Sequence, residues 1–137
     1  MRRPLWEGMN GTVPPGASVL VVDDEPQVVW VLQFSLESEG FETFAAHDGR
    51  EALAQVKRHH PDLMILDVMM PRMNGWEVLE ELVKLPREER PRVVMLTALA
   101  SVRERSRASA LGAAAFVPKP FDVEELITVL HGLEVAS

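Results

Sequence analysis

The sequence contains no cysteine. That absence removes disulfides, thiolate nucleophiles and cysteine-ligated zinc together. Long apolar runs are missing as well. Stretches such as Val19-Leu20-Val21-Val22 and Leu63-Met64-Ile65-Leu66 are far shorter than the ~20 residues a membrane helix needs. Arg2-Arg3 would suit the start of a signal peptide, but Glu7, Asn10 and Gly11 interrupt the apolar segment that should follow. Nor is there an excess of cations: 14 Lys plus Arg against 21 Asp plus Glu leave a net charge of −7. That is the wrong sign for a module that grips phosphate backbones through clustered basic residues. No Gly-x-Gly-x-x-Gly follows the first aliphatic run, where acids stand instead, so a dinucleotide or flavin cradle is excluded. The expectation is a cytoplasmic chain without membrane insertion or direct nucleic-acid contact.

What remains fits one globular domain. A chain of 137 residues buries roughly two-thirds of its unfolded surface. Its 47% hydrophobic and 26% charged content favours neither disorder nor a fibrous repeat. Residues 1–17 carry Pro4, Gly8, Gly11, Pro14, Pro15 and Gly16 without helical or strand periodicity, and read as a flexible leader. Residues 18–134 form the folded domain and residues 135–137 a short tail. Within the domain, short aliphatic runs alternate with longer amphipathic segments, the pattern of strand-helix units around a parallel sheet. Strands are predicted at Ser18 to Val22, Glu42 to Ala46, Leu63 to Asp67, Arg92 to Thr97 and Ala114 to Pro118. Helices are predicted at Pro26 to Glu39, Gly49 to His59, Gly75 to Leu85, Val102 to Leu111 and Val123 to Leu133. Pro26 and Asp122 mark helix starts, Gly40 and Gly112 helix stops.

Open parallel α/β sheets gather ligands at the carboxyl ends of their strands. The first strand ends in Asp23-Asp24-Glu25, the third in Asp67, the fourth in Thr97, and the fifth runs into Lys119-Pro120. Singly, each has an ordinary structural use as a cap, turn former or solvated charge. Independent caps have no reason to choose one edge of one sheet. Carboxylates brought close raise one another's proton affinity unless they share a cation. Mg²⁺ suits Asp24 and Asp67 directly, with Asp23 acting through water. A carboxylate beside Mg²⁺ can attack phosphorus to form an acyl phosphate, while Thr97 and Lys119 hold phosphoryl oxygens. The set reads as a phosphoryl acceptor.

These residues resemble the receiver domains of two-component response regulators over about residues 17–134. The matching pieces are Val21-Val22-Asp23-Asp24-Glu25-Pro26, Asp67-Val68-Met69-Met70-Pro71, Met73-Asn74-Gly75, Leu96-Thr97-Ala98 and Lys119-Pro120-Phe121. The resemblance implies a flavodoxin-like, doubly wound sheet of five parallel strands in the order 2-1-3-4-5 with five helices. It implies that Asp67 is the phosphoacceptor, served by a phosphohistidine of a sensor histidine kinase or a histidine phosphotransfer protein. By position, Asp23, Asp24, Asp67 and the backbone carbonyl of Met69 hold Mg²⁺, Thr97 is the switch hydroxyl and Lys119 the phosphate partner. Phe116 falls on the switch aromatic, often Tyr in relatives, and lacks its hydroxyl. Asn74 stands where many relatives carry Asp. The chain is then no enzyme but a phosphoacceptor with Mg²⁺-dependent self-phosphorylation and slow self-dephosphorylation, acting on a downstream protein target. A single-domain, chemotaxis-regulator-like protein is expected, with a receiver excised from a larger regulator or hybrid kinase reading the same.

Two other classes share parts of this set. A haloacid-dehalogenase-type phosphatase also uses Asp, Thr or Ser, Lys and Mg²⁺, but its two acids lie two residues apart after the first strand, whereas Asp23 and Asp24 are adjacent and Asp67 comes later. A receiver-like interaction domain without phosphotransfer is the other, and the complete set of site residues speaks against it. His47, His59, His60 and His131 show no ligand spacing and read as surface groups; the scattered methionines, Met64 and Met95 among them, read as packing.

Surface expectations follow from helical spacing. The first helix is assigned a core stripe of Val28, Val31, Leu32, Ser35 and Leu36, leaving Trp30 and Phe34 on a second face. That face is either a kinase-docking patch or is covered by Leu5 and Trp6 of the leader. Arg103, Arg105 and Arg107 on the fourth helix oppose Asp122, Glu124 and Glu125 on the fifth. They offer a phosphorylation-dependent homodimer, against the plainer reading of a solvated face. Met69 and Leu99, two residues past Asp67 and Thr97, cannot orient water and are expected to keep the phosphoryl group dry.

Overall fold

The computed structural model describes residues 16–98 and 101–133. Leader residues 1–15, Leu99 and the tail 135–137 lie outside the described residues, and with them the expected packing of Leu5 and Trp6 over the first helix. Five parallel strands form one sheet in the order β2-β1-β3-β4-β5. They are β1 (Ser18–Val22), β2 (Glu42–Ala46), β3 (Leu63–Asp67), β4 (Arg92–Thr97) and β5 (Ala115–Pro118). Helices α1 (Pro26–Ser38), α2 (Gly49–His59), α3 (Gly75–Leu82), α4 (Val102–Ala110) and α5 (Val123–His131) connect and follow them. A short 3₁₀ turn at Arg87–Glu89, not expected from the sequence, precedes β4.

The three central strands are aliphatic because both faces are covered. Every residue of β1 and β3 is buried, and all of β4 but Arg92. Alternate side chains feed two cores. One joins Val19, Val21, Ile65 and Leu96 to α1 and α5; the other joins Leu20, Met64, Leu66 and Met95 to Val56 and Leu79. Met64 and Met95 are packing residues, as expected. At the amino end of the sheet the Asp62 carboxylate accepts from the backbone N–H and hydroxyl of Ser18, at 2.9 and 3.1 Å, tying the start of β1 to the start of β3.

The leader boundary and the buried stripe of α1 both differ from expectation, and α1, α3, α4 and α5 end one to three residues early. The leader was expected to reach residue 17, but Ala17 is fully buried and its carbonyl accepts from the N–H of Glu42. The sheet therefore already holds the chain at that point. On α1 the buried stripe is Val29, Leu32 and Leu36, while Val31 is 39% exposed. The run Val28-Val29-Trp30-Val31-Leu32 is apolar throughout, so periodicity alone does not fix its phase; the packing against α5 does. Helix starts are chemically defined: Asp48, Asn74, Ser101 and Asp122 each cap with the side chain, Asn74 in a reciprocal capping box with Glu77. No helix among the described residues is long and apolar enough to cross a membrane.

Candidate functional site

The carboxyl edge of the sheet brings together residues from strands far apart in the chain. Asp67 ends β3 and is 3% exposed. Asp23 directly follows β1, is 1% exposed, and accepts from the N–H of Glu25 at 2.9 Å. Asp24 beside it is exposed. Carboxylate oxygens of Asp23, Asp24 and Asp67 all lie within 4.8 Å of one another. Among the described residues this is the one such acidic or histidine cluster, and none of the four histidines joins it. His59 instead stacks on Phe44 with centroids 4.1 Å apart, and His131 tilts against Phe41.

Lys119 enters from the end of β5. Its N–H donates to the carbonyl of Thr97 at 2.7 Å, extending the β4-β5 pairing past the last strand residue, and the Lys119-Pro120 peptide is cis. The ammonium then reaches 96 positions back in sequence, donating to Asp23 Oδ2 at 2.9 Å and standing 3.5 Å from Asp67 Oδ1. Glu25 Oε1 is 3.9 Å away on its open side. Thr97, fully buried, ends β4 at the same edge of the sheet.

Electrostatics follow from this crowding. Burial first, and the Asp23 charge second, push the Asp67 carboxyl up from 3.8 to about 6. Lys119 and the Met69 N–H, which donates to Asp67 Oδ1 at 3.3 Å, pull the other way. Burial opposes the charged form of Lys119, but its hydrogen bond to Asp23 and the surrounding carboxylates more than offset it and hold its pKa above the ordinary value. The site is a negative pocket with one internal cation. Three carboxylates with oxygens within 4.8 Å of one another, Asp67 disfavoured as an anion by burial and by the neighbouring charges, suit a small divalent ion such as Mg²⁺.

The structure also gives these residues contacts that spacing in the sequence does not reveal. A Cβ on Gly75 would stand 2.5 Å from the carbonyl oxygen of Asp67 and 2.8 Å from Val68 Cα. Its N–H donates to Val68 O at 2.9 Å, so α3 starts directly against the loop that carries Asp67. Phe116, half-buried on β5, lies beneath the Arg105 guanidinium at 5.0 Å from its ring centroid, and Arg107 covers Trp76 at 4.3 Å. Two of the three α4 arginines are thus stacked on aromatic rings rather than simply solvated. Met69, two residues past Asp67 and expected to cover a phosphoryl group there, is 61% exposed.

Comparison with known proteins decides the family. The sequence model of the response regulator receiver domain matches residues 19–131. The chain belongs to the response regulator receiver domain family. It is 40% identical over 118 residues to a probable transcriptional regulatory protein, TcrX, of Mycobacterium tuberculosis, covering 85% of this chain and 49% of that one. Among solved structures, the receiver is similar to the chemotaxis response regulator CheY4 of Vibrio cholerae, with TM-score 0.78 and 34% identity over 84% of this chain and 96% of that one. It is similar also to a Borrelia burgdorferi protein in a structure described as a CheX-CheY-BeF3-Mg²⁺ complex, with TM-score 0.78 and 31% identity over 85% and 87% of the two chains. The chain spans about half the length of the curated relatives it matches, 44% to 49%.

Proposed function

We propose that this receiver takes a phosphoryl group onto Asp67 from a phosphohistidine of a sensor histidine kinase or histidine phosphotransfer protein. The observation that carries the reading is the Lys119 ammonium held between Asp23 and Asp67, at 2.9 and 3.5 Å, in a pocket where Asp67 is buried and crowded by like charge. Asp23, Asp24, Asp67 and the backbone carbonyl of Met69 would hold Mg²⁺, which when bound supplies positive charge against the phosphoryl oxygens. One Asp67 oxygen forms the new P–O bond as the donor's P–N bond breaks, and that electron pair stays on the ring nitrogen. Lys119 pairs with one phosphoryl oxygen and the Thr97 hydroxyl donates to another. The pull on Thr97 is passed to Phe116, whose ring turns away from Arg105 and alters the α4-β5-α5 face read by a downstream protein.

The exposed stack of Trp30 and Phe34, with centroids 5.6 Å and planes 14° apart, is the docking patch for the phosphodonor protein. Relatives named as transcriptional regulators, and a similar protein in a structure described with Mg²⁺ and beryllofluoride, support the two-component reading, and we place the protein in the cytoplasm as part of it. Incubation with phosphoramidate tests the reading: label must appear with Mg²⁺ and vanish with a chelator, and label undiminished by the chelator would contradict it.

A further inference from the structure

Beside the acceptor site a cavity of about 420 Å³ opens between α1 and the loops after β4 and β5, lined by Glu25, Val28, Ala98, Lys119, Pro120 and Phe121. Its walls are mostly apolar, and Lys119 is shared with the acceptor site, so whatever sits there lies next to a phosphoryl group on its way to Asp67. Glu25 is the N-cap residue of α1, yet its side chain makes no capping hydrogen bond. It is half exposed at the cavity, 3.9 Å from Lys119, with a single long contact of 3.5 Å from Gln27 Nε2. A carboxylate excused from capping and set at the rim of an apolar cleft is suited to a planar ring with one N–H.

We infer that this cavity is the leaving-group subsite. It takes the imidazole ring of the phosphodonor against Val28, Pro120 and Phe121, with Glu25 accepting from the ring nitrogen that does not carry phosphorus. The inference rests on Asp67 being the acceptor. In the transfer, the donor ring is protonated on that second nitrogen. The P–N bond breaks, its electrons remain on the first nitrogen, the P–O bond to Asp67 forms, and neutral imidazole leaves with its proton still facing Glu25. No other reactant is needed. Positive charge on the ring is greatest before the bond breaks, so Glu25 strengthens binding of the protonated donor. It does nothing for a donor whose leaving group is ammonia, too small to reach it.

The test compares monophosphoimidazole with phosphoramidate on the full chain with Mg²⁺, following phosphorylated protein by intact mass. Glu25→Gln keeps the shape and removes the charge at a half-exposed position, so folding is not at stake. It should slow labelling by monophosphoimidazole about tenfold, the scale of a lost hydrogen bond to a charged group, with phosphoramidate labelling within about twofold of wild type on the same scale. Val28→Phe, which fills the cavity, should likewise slow only the ring donor. An unchanged ratio of the two rates in both variants overturns the subsite while leaving Asp67 as acceptor. Equal slowing with both donors in Glu25→Gln assigns Glu25 to positioning Lys119 and also overturns it. Labelling of the wild type by neither donor overturns the acceptor reading itself, and the subsite with it.

Discussion

Replacing Asp67 by Asn should stabilise the metal-free protein at neutral pH, although it removes the central residue of the site. Asp67 sits at about 6 rather than 3.8 because burial and the Asp23 charge disfavour its anion more than Lys119 and the Met69 N–H favour it. The folded state therefore binds a proton more tightly than the unfolded chain. Its advantage is full below pH 3.8, declines as pH rises, and is gone above about 6. A gap of about two pH units at roughly 1.4 kcal/mol each gives a loss near 3 kcal/mol between those limits. Asparagine cannot ionise, so the variant lacks this slope. Urea denaturation without Mg²⁺ should show Asp67→Asn more stable than wild type at pH 7.5 by up to about 3 kcal/mol, with the two converging near pH 4. Adding Mg²⁺ at pH 7.5 should then raise the wild type more than the variant, since the ion binds only the folded site. A variant less stable than wild type at pH 7.5, or a difference that does not change with pH, would refute the electrostatic argument.

Gly75→Ala should destabilise the domain by about 1–3 kcal/mol, because the new methyl group meets the backbone of Asp67 and Val68 rather than a movable side chain; a urea midpoint matching wild type would count against the close approach. Trp30→Ala should slow phosphotransfer from the partner protein several-fold and leave small-donor labelling unchanged, while equal loss in both assays would mark simple destabilisation. Met69→Asn combined with Leu99→Glu should shorten the lifetime of the phosphorylated protein by supplying groups that orient water, and an unchanged decay by intact mass would show that the rate is set elsewhere. Sedimentation with beryllofluoride and Mg²⁺ tests the homodimer that sets Arg103, Arg105 and Arg107 against Asp122, Glu124 and Glu125; a species that stays monomeric removes it.

Much of the fold was legible because strands covered on both faces must be aliphatic without interruption, and four of the five strands have the predicted limits, Ala114 alone falling outside β5. Helix ends were less legible. Leu133 is buried just beyond α5 and Leu85 half-buried beyond α3, so apolar residues continue to pack after the backbone has stopped being helical. A pattern of burial cannot separate those two conditions. The site was legible to the degree that a parallel sheet collects strand ends at one edge, which brings Lys119 to Asp23 and Asp67 across most of the chain. What escaped depends on side-chain direction: Arg105 lying over Phe116, Glu25 turning from its helix toward Lys119, and Val29 rather than Val31 facing the core. None of these leaves a mark in spacing or composition.

The central claim is that Asp67 alone receives the phosphoryl group. Intact-mass analysis of the wild type after incubation with phosphoramidate and Mg²⁺ should show one added phosphate, and Asp67→Asn under the same conditions should show none. A single phosphate on Asp67→Asn would place the acceptor on another residue and contradict the account.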